Sequence, residues 1–207
     1  MLIESNKYKN IIFDLGAVII NIDHSLTSKA FNDFGLDLSD PMFQKVQQQL
    51  FDSYEKGEMA SQDFRIKIKS YFKKALNDIE FDMAWNAMLL NLPIERLGLL
   101  QQLKTRYRTF LLSNTNEIHF QWIVKYLEDH YKINDLSSFF EKSYLSYKLG
   151  MRKPDAEIFN LVLKANNLDP TKTLFIDDSE SNIEGAQKLG IATYWLDVNK
   201  ESILDLF

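Results

Sequence analysis

The strongest constraint on this chain is a rhythm. Five short runs rich in β-branched and aromatic residues, Asn10–Phe13, Thr109–Leu112, Lys142–Leu145, Thr173–Ile176 and Ala192–Leu196, alternate with longer stretches of helical period. Those stretches lie near Ile94–Arg106, Asn116–His130, Ala156–Asn166 and Ser181–Leu189. Near-continuous apolarity over a few residues reads as strands buried on both faces. Strand–helix alternation predicts an α/β fold, a doubly wound parallel sheet with right-handed crossovers and helices on both sides.

The rhythm breaks once, between about Ile22 and Leu92, where no convincing strand is found. Phe64, Ile68, Tyr71, Phe72 and Ala75 fall on one helical face, and Phe31, Phe34, Phe43, Phe51, Phe81 and Trp85 add an aromatic load that requires burial. Pro93 closes the segment. The 207 residues are therefore expected to form an α/β core, residues 1–20 and 94–207, split by a small all-helical domain, residues 21–93. Hinges are expected near Val18–Asp23 and Asn91–Ile94.

Composition removes several function classes. With no Cys there are no disulfides, thiolate metal sites or Cys nucleophiles. A net charge of −5 argues against nucleic acid as a partner. The cluster Arg65, Lys67, Lys69, Lys73 and Lys74 reads as the solvated side of a helix. No apolar stretch approaches the roughly 20 residues of a membrane span, and Met1-Leu2-Ile3-Glu4 does not open a signal peptide. The expectation is a cytoplasmic protein without nucleic-acid or membrane partners, a monomer or weak dimer.

Polar groups follow four of the predicted elements directly, and in open parallel sheets ligands bind at the carboxyl ends of strands. Asp14 follows the first strand, with Gly16 permitting a tight turn. Ser113-Asn114-Thr115-Asn116 follows the second, where a helix-capping role competes with an anion site. Arg152-Lys153-Pro154 stands where a helix is expected to begin. Asp177-Asp178 ends the fourth run, and adjacent carboxylates repel unless a cation or hydrogen bonds offset them. Together these segments make chemical sense. Asp14 and Asp178 are hard oxygen ligands suited to Mg²⁺, while Ser113, Asn114 and Lys153 are phosphate donors. A carboxylate nucleophile, a metal, an ammonium and hydroxyl or amide donors are the parts of phosphoryl transfer through an aspartyl-phosphate.

The order of these motifs resembles the haloacid dehalogenase superfamily over essentially the whole chain, with the helical insertion matching that family's cap. Phe13-Asp-Leu-Gly-Ala-Val-Ile, Leu112-Ser-Asn-Thr-Asn, His119, Trp122, Leu149-Gly-Met-Arg-Lys-Pro and Asp177-Asp-Ser-Glu-Ser-Asn-Ile-Glu-Gly-Ala are most similar to its bacterial α-D-glucose-1-phosphate phosphatase branch. The resemblance implies a Mg²⁺-dependent phosphatase acting on a small phosphorylated metabolite. In it Asp14 attacks phosphorus and ligates Mg²⁺ beside the Gly16 carbonyl. Asp178 ligates the metal directly and Asp177 through water. Ser113 and the Asn114 amide hold phosphoryl oxygens, Lys153 neutralises charge, and Asn182 supports the loop.

The sequence departs from the pattern at Gly16, where most phosphatases of the family carry an acid/base Asp. Such help is worth about 10²–10⁴-fold. Three outcomes stay open: a leaving group acidic enough to need little protonation, such as an anomeric hydroxyl; a surrogate acid at Asp23 or His24, although capping or hinge polarity also explains these; or a protein that binds phosphorylated ligands and turns them over poorly or not at all. Haloacid dehalogenation also uses a strand-end Asp but leaves the Asp177/Asp178 pair without a purpose. A response-regulator receiver is disfavoured by the insertion. Substrate choice is expected from His24, Tyr54, Glu55 and Lys56 on the helical insertion, whose turn around Gly57 equally reads as a surface loop.

Overall fold

The computed structural model describes Ile3 and residues 7–207. Its centre is a parallel sheet of five strands: β1 (Asn10–Phe13), β2 (Arg108–Ser113), β3 (Lys142–Leu145), β4 (Thr173–Asp177) and β5 (Ala192–Trp195), ordered β3-β2-β1-β4-β5. The side-chain period of two divides the apolar runs between the faces. Ile11, Phe13, Leu111 and Ile176 enter one buried cluster, whereas Ile12, Phe110, Leu112 and Phe175 enter another on the opposite side. The alternation expected from sequence is thus borne out, with one qualification. Edge strand β5 is half-buried and ends on exposed Trp195, because only its β4 side is paired.

Between β1 and β2 run α1 (His24–Asp33), α2 (Pro41–Glu55), α3 (Ser61–Lys69), α4 (Asp78–Asn86) and α5 (Ile94–Lys104). The first four pack around a third cluster containing Phe31, Phe43, Tyr54, Phe64, Phe81 and Trp85. Asp23 caps α1 by accepting from the Ser25 amide, and Asn77 with Glu80 forms a capping box on α4. The expected long apolar face is shorter than its period suggested. Helix α3 stops at Lys69, where the Ser70 hydroxyl donates to the Lys67 carbonyl at 2.7 Å. Tyr71 and Phe72 pack from the following segment, and Leu76 is buried in place of Ala75, which is exposed. Two cations of the basic cluster are held by α4: Arg65 by Asp82 and Lys69 by Asp78.

The chain enters and leaves these helices side by side. The Asn21 amide donates to the Asn91 carbonyl and the Leu90 amide to the Asn21 carbonyl, at 2.9 and 3.0 Å. The α/β rhythm then continues with α6 (Glu117–Tyr131) after β2, α7 (Ser146–Leu149) and α8 (Ala156–Asn166) after β3, and α9 (Glu180–Gln187) after β4. Among the described residues, no helix is long and apolar enough to cross a membrane.

Candidate active site

Register brings the strand ends together. Phe13 pairs with both Leu111 and Ile176, so Asp14, the end of β2 and Asp177 emerge at one edge of the sheet. Lys153, from the loop before α8, joins them there. Its Nζ donates to Asp14 Oδ1 and to Asp177 Oδ2, each at 2.6 Å, and the residue is 1% exposed. Asp177 is fully buried and also accepts from the Ser179 amide at 2.8 Å and from the Asn182 amide group at 3.0 and 3.1 Å. Two adjacent carboxylates at a strand end thus divide their surroundings. Asp177 is enclosed by donors, whereas Asp178 faces a cavity of about 590 Å³.

That cavity lies between the sheet edge and the inserted helices. Asp14, Gly16, Ser113, Asn114, Lys153 and Asp178 form its floor. Carboxylate oxygens of Asp14, Asp177 and Asp178 lie within 4.8 Å of one another. Three carboxylates around one ammonium leave two negative charges unbalanced. Burial raises the Asp14 carboxyl to about 7; Lys153 opposes that rise and Asp177 adds to it. Asp178 is also raised, by partial burial and then by Asp177. Burial disfavours the Lys153 ammonium, but Asp14 and Asp177 outweigh it and hold it above its ordinary range. An excess of clustered hard oxygen donors at a partly buried site fits a divalent cation such as Mg²⁺.

Other sequence candidates fall differently. The Asn114 side chain clamps the Lys153 backbone, its Nδ2 donating to the Lys153 carbonyl at 2.8 Å while its Oδ1 accepts from the Lys153 amide at 2.9 Å. Asp23 caps its helix through one carboxylate oxygen, Oδ1, which accepts from the Ser25 amide and hydroxyl at 2.9 and 2.6 Å, and the residue lies outside the cavity wall. Tyr54 is not in the cavity wall. Its ring stacks on Phe64 at 4.0 Å and its hydroxyl pairs with Ser61 at 2.8 Å. Lys56 also lies outside the wall, 3.8 Å from Asp155. His24 and Glu55 do line the cavity.

At position 16 the structure explains what the glycine does. A Cβ there would lie 2.7 Å from Ile22 Cδ1, so the space beside Asp14 is filled by an apolar side chain from the entry to the helices.

Two groups were not assigned a site role from sequence. Arg152 lines the cavity and reaches the helical insertion, pairing with Asp52 and lying 3.0 Å from Glu55. In sequence it stood only as a member of the Arg152-Lys153-Pro154 segment, without a role of its own. His119 sits in the far wall, stacked on Trp85 at 4.9 Å. Its Nε2–H donates to the Trp85 carbonyl at 3.2 Å and its Nδ1 accepts from Asn116 at 3.1 Å. Burial pushes this imidazole down to about 4.

Comparison with known proteins gives the family and the fold. Residues 8–190 match a family of hydrolases described as haloacid dehalogenase-like hydrolase. A D-ribitol-5-phosphate phosphatase from Bacteroides thetaiotaomicron is 33% identical over 189 residues, 90% of each chain. A solved haloacid dehalogenase (HAD) family enzyme from the same organism superposes with a TM-score of 0.87 at 38% identity, covering 95% of this chain and 97% of that one. Its complex with magnesium and inorganic phosphate gives a TM-score of 0.82 at 37% identity over 94% and 96% of the two chains.

Proposed function

The chain belongs to the haloacid dehalogenase-like hydrolase family, and we propose that within it this protein is a Mg²⁺-dependent phosphatase of small phosphorylated metabolites, acting through an aspartyl-phosphate on Asp14. The observation that carries the reading is the convergence of Asp14, Lys153, Asp177 and Asp178 at one sheet edge beneath a cavity.

Lys153 engages Asp14 Oδ1, so Oδ2 is the oxygen left to attack phosphorus. As the Oδ2–P bond forms, the ester P–O bond breaks and the alcohol departs, taking up a proton. Water then cleaves the acyl phosphate, restoring the carboxylate and releasing inorganic phosphate. The Ser113 hydroxyl and the Asn114 main-chain amide serve the phosphoryl oxygens, while Lys153 offsets their charge. Asp14, the Gly16 carbonyl and Asp178 are the proposed ligands of Mg²⁺, with Asp177 behind them. The metal, when bound, supplies charge neutralisation for the phosphoryl group. The helices of residues 21–93 act as a cap that excludes bulk water and shapes the substrate space.

For substrate we propose a sugar or polyol phosphate, on the strength of the ribitol-phosphate relative. Ribitol 5-phosphate leaves as an ordinary primary alcohol. The relief that an anomeric leaving group would bring at Gly16 does not extend to it. The test is phosphate release from a panel of sugar and polyol phosphates with Mg²⁺. At least one member should be hydrolysed, with the rate abolished by chelation and lowered at least about 10⁴-fold by Asp14→Asn. No release from any member would overturn the reading.

A further inference from the structure

The cavity wall contains a charged patch that the proposed chemistry leaves unused. Glu55, near the end of α2, and Arg152, beside Lys153, meet there from opposite sides of the cleft. Arg152 Nη1 is taken by Asp52. Arg152 Nη2 lies 3.0 Å from Glu55 Oε2, near enough for an ion pair but out of line for a hydrogen bond, so among the described residues Glu55 Oε2 has no hydrogen-bond donor. Arg152 Nε likewise has no acceptor among the described residues. Buried polar atoms left unpaired are costly, and an acceptor and a donor on two facing residues of one cavity wall are complementary to a group that both donates and accepts.

We propose that Glu55 and Arg152 form one hydroxyl-reading subsite, which selects phosphate esters carrying a hydroxylated chain. Charge narrows the ligand. Asp52 and Glu55 oppose a single guanidinium, so a second phosphate or a carboxylate is repelled. An ammonium would satisfy Glu55 but not the Arg152 donor. A neutral hydroxyl meets both. Phosphate held over Asp14 and Lys153 places the rest of the ester in this cavity, whose lining also includes Arg152 and Glu55. The subsite exists only while the two lobes are docked. The docking is close: a Cβ on Gly57, two residues beyond Glu55, would lie 2.0 Å from the Tyr147 carbonyl oxygen.

The inference rests on the phosphatase reading, and a ratio separates the two. The readout is kcat/KM for ribitol 5-phosphate divided by kcat/KM for p-nitrophenyl phosphate, which has no hydroxyl chain. A site built to bond a substrate hydroxyl discriminates strongly against an ester that lacks it. Glu55→Gln and Arg152→Gln should each lower the ratio about ten- to hundredfold, and the double variant should lower it no further than the worse single one. A ratio unchanged in both variants overturns the proposal, and multiplicative losses in the double variant overturn the pairing of the two residues. A wild-type protein that hydrolyses neither ester would instead bring down the phosphatase reading beneath it.

Discussion

Lys153 and Tyr54 are both almost fully buried polar side chains, at 1% and 2% exposure, one in the α/β core and one among the inserted helices. They are held by opposite means. Lys153 is fixed by charge, its ammonium between Asp14 and Asp177. Tyr54 is fixed by shape, its ring stacked on Phe64 within a cluster that includes Phe31, Phe81 and Trp85, while its hydroxyl pairs with Ser61 and accepts from the Ile118 amide at 3.3 Å. A buried charge tolerates no loss of partner, because the remaining group cannot be rehydrated. An aromatic cluster tolerates changes that conserve volume. The core is therefore expected to be exacting at single residues, and the helical insertion forgiving in detail.

Substitution tests the contrast most severely at Lys153. Lys153→Met keeps the bulk but leaves Asp14 and Asp177 facing each other. Urea unfolding at pH 7 should show a loss of about 3–5 kcal/mol. In the helices, Phe64→Leu should cost less than about 1.5 kcal/mol by the same measurement. Equal losses would erase the distinction.

His119 sits where the two lobes meet and sharpens it next. Its imidazole is held down to about 4 by burial, against an unfolded value near 6.5. Between those values the unfolded chain binds the extra proton, so this contribution is lost as pH falls through the window, by up to about 3 kcal/mol. Asp14, raised to about 7, works in the opposite sense. The difference between wild type and His119→Gln therefore carries the information. Wild type should lose about 2 kcal/mol more than the variant between pH 7 and pH 5, read from urea midpoints. Parallel losses would show that the buried imidazole does not control acid stability.

An effect of similar size is expected at position 16. Gly16→Asp meets Ile22 Cδ1, the movable end of a side chain, and overpacking there should cost about 1–3 kcal/mol. Ile22→Val removes that methyl, and the double variant should recover most of the loss in thermal unfolding. No recovery would mean that the obstacle at position 16 is not Ile22.

Much of the core was legible beforehand. The five apolar runs became the five strands within one residue at each end, since strands buried on both faces leave an unbroken apolar signature. Helix α3 was less legible. Its 3.6-residue pattern runs on past Lys69 through Tyr71 and Phe72, which pack onto the same cluster from non-helical backbone. Periodicity records which side chains need burial and does not record whether the backbone between them stays helical. Among the site residues, those next to strand ends were brought together as expected. Tyr54, Lys56 and Asp23 were not placed in the cavity wall, because a polar residue near a turn reads the same whether it caps a helix, packs inward or faces a ligand.

The sequence by itself determined the order of strands and helices, the insertion between β1 and β2, and the charged residues that parallel strands must bring to one edge. All of these follow from local pattern and connectivity. Only the tertiary structure decided that Asn114 clamps the Lys153 backbone, that Ile22 fills the space beside Gly16, and that Arg152 meets Asp52 and Glu55 across the cleft. Those contacts join residues distant in the chain or turn on side-chain direction. They depend on how two independently patterned lobes are pressed together, which no local periodicity encodes.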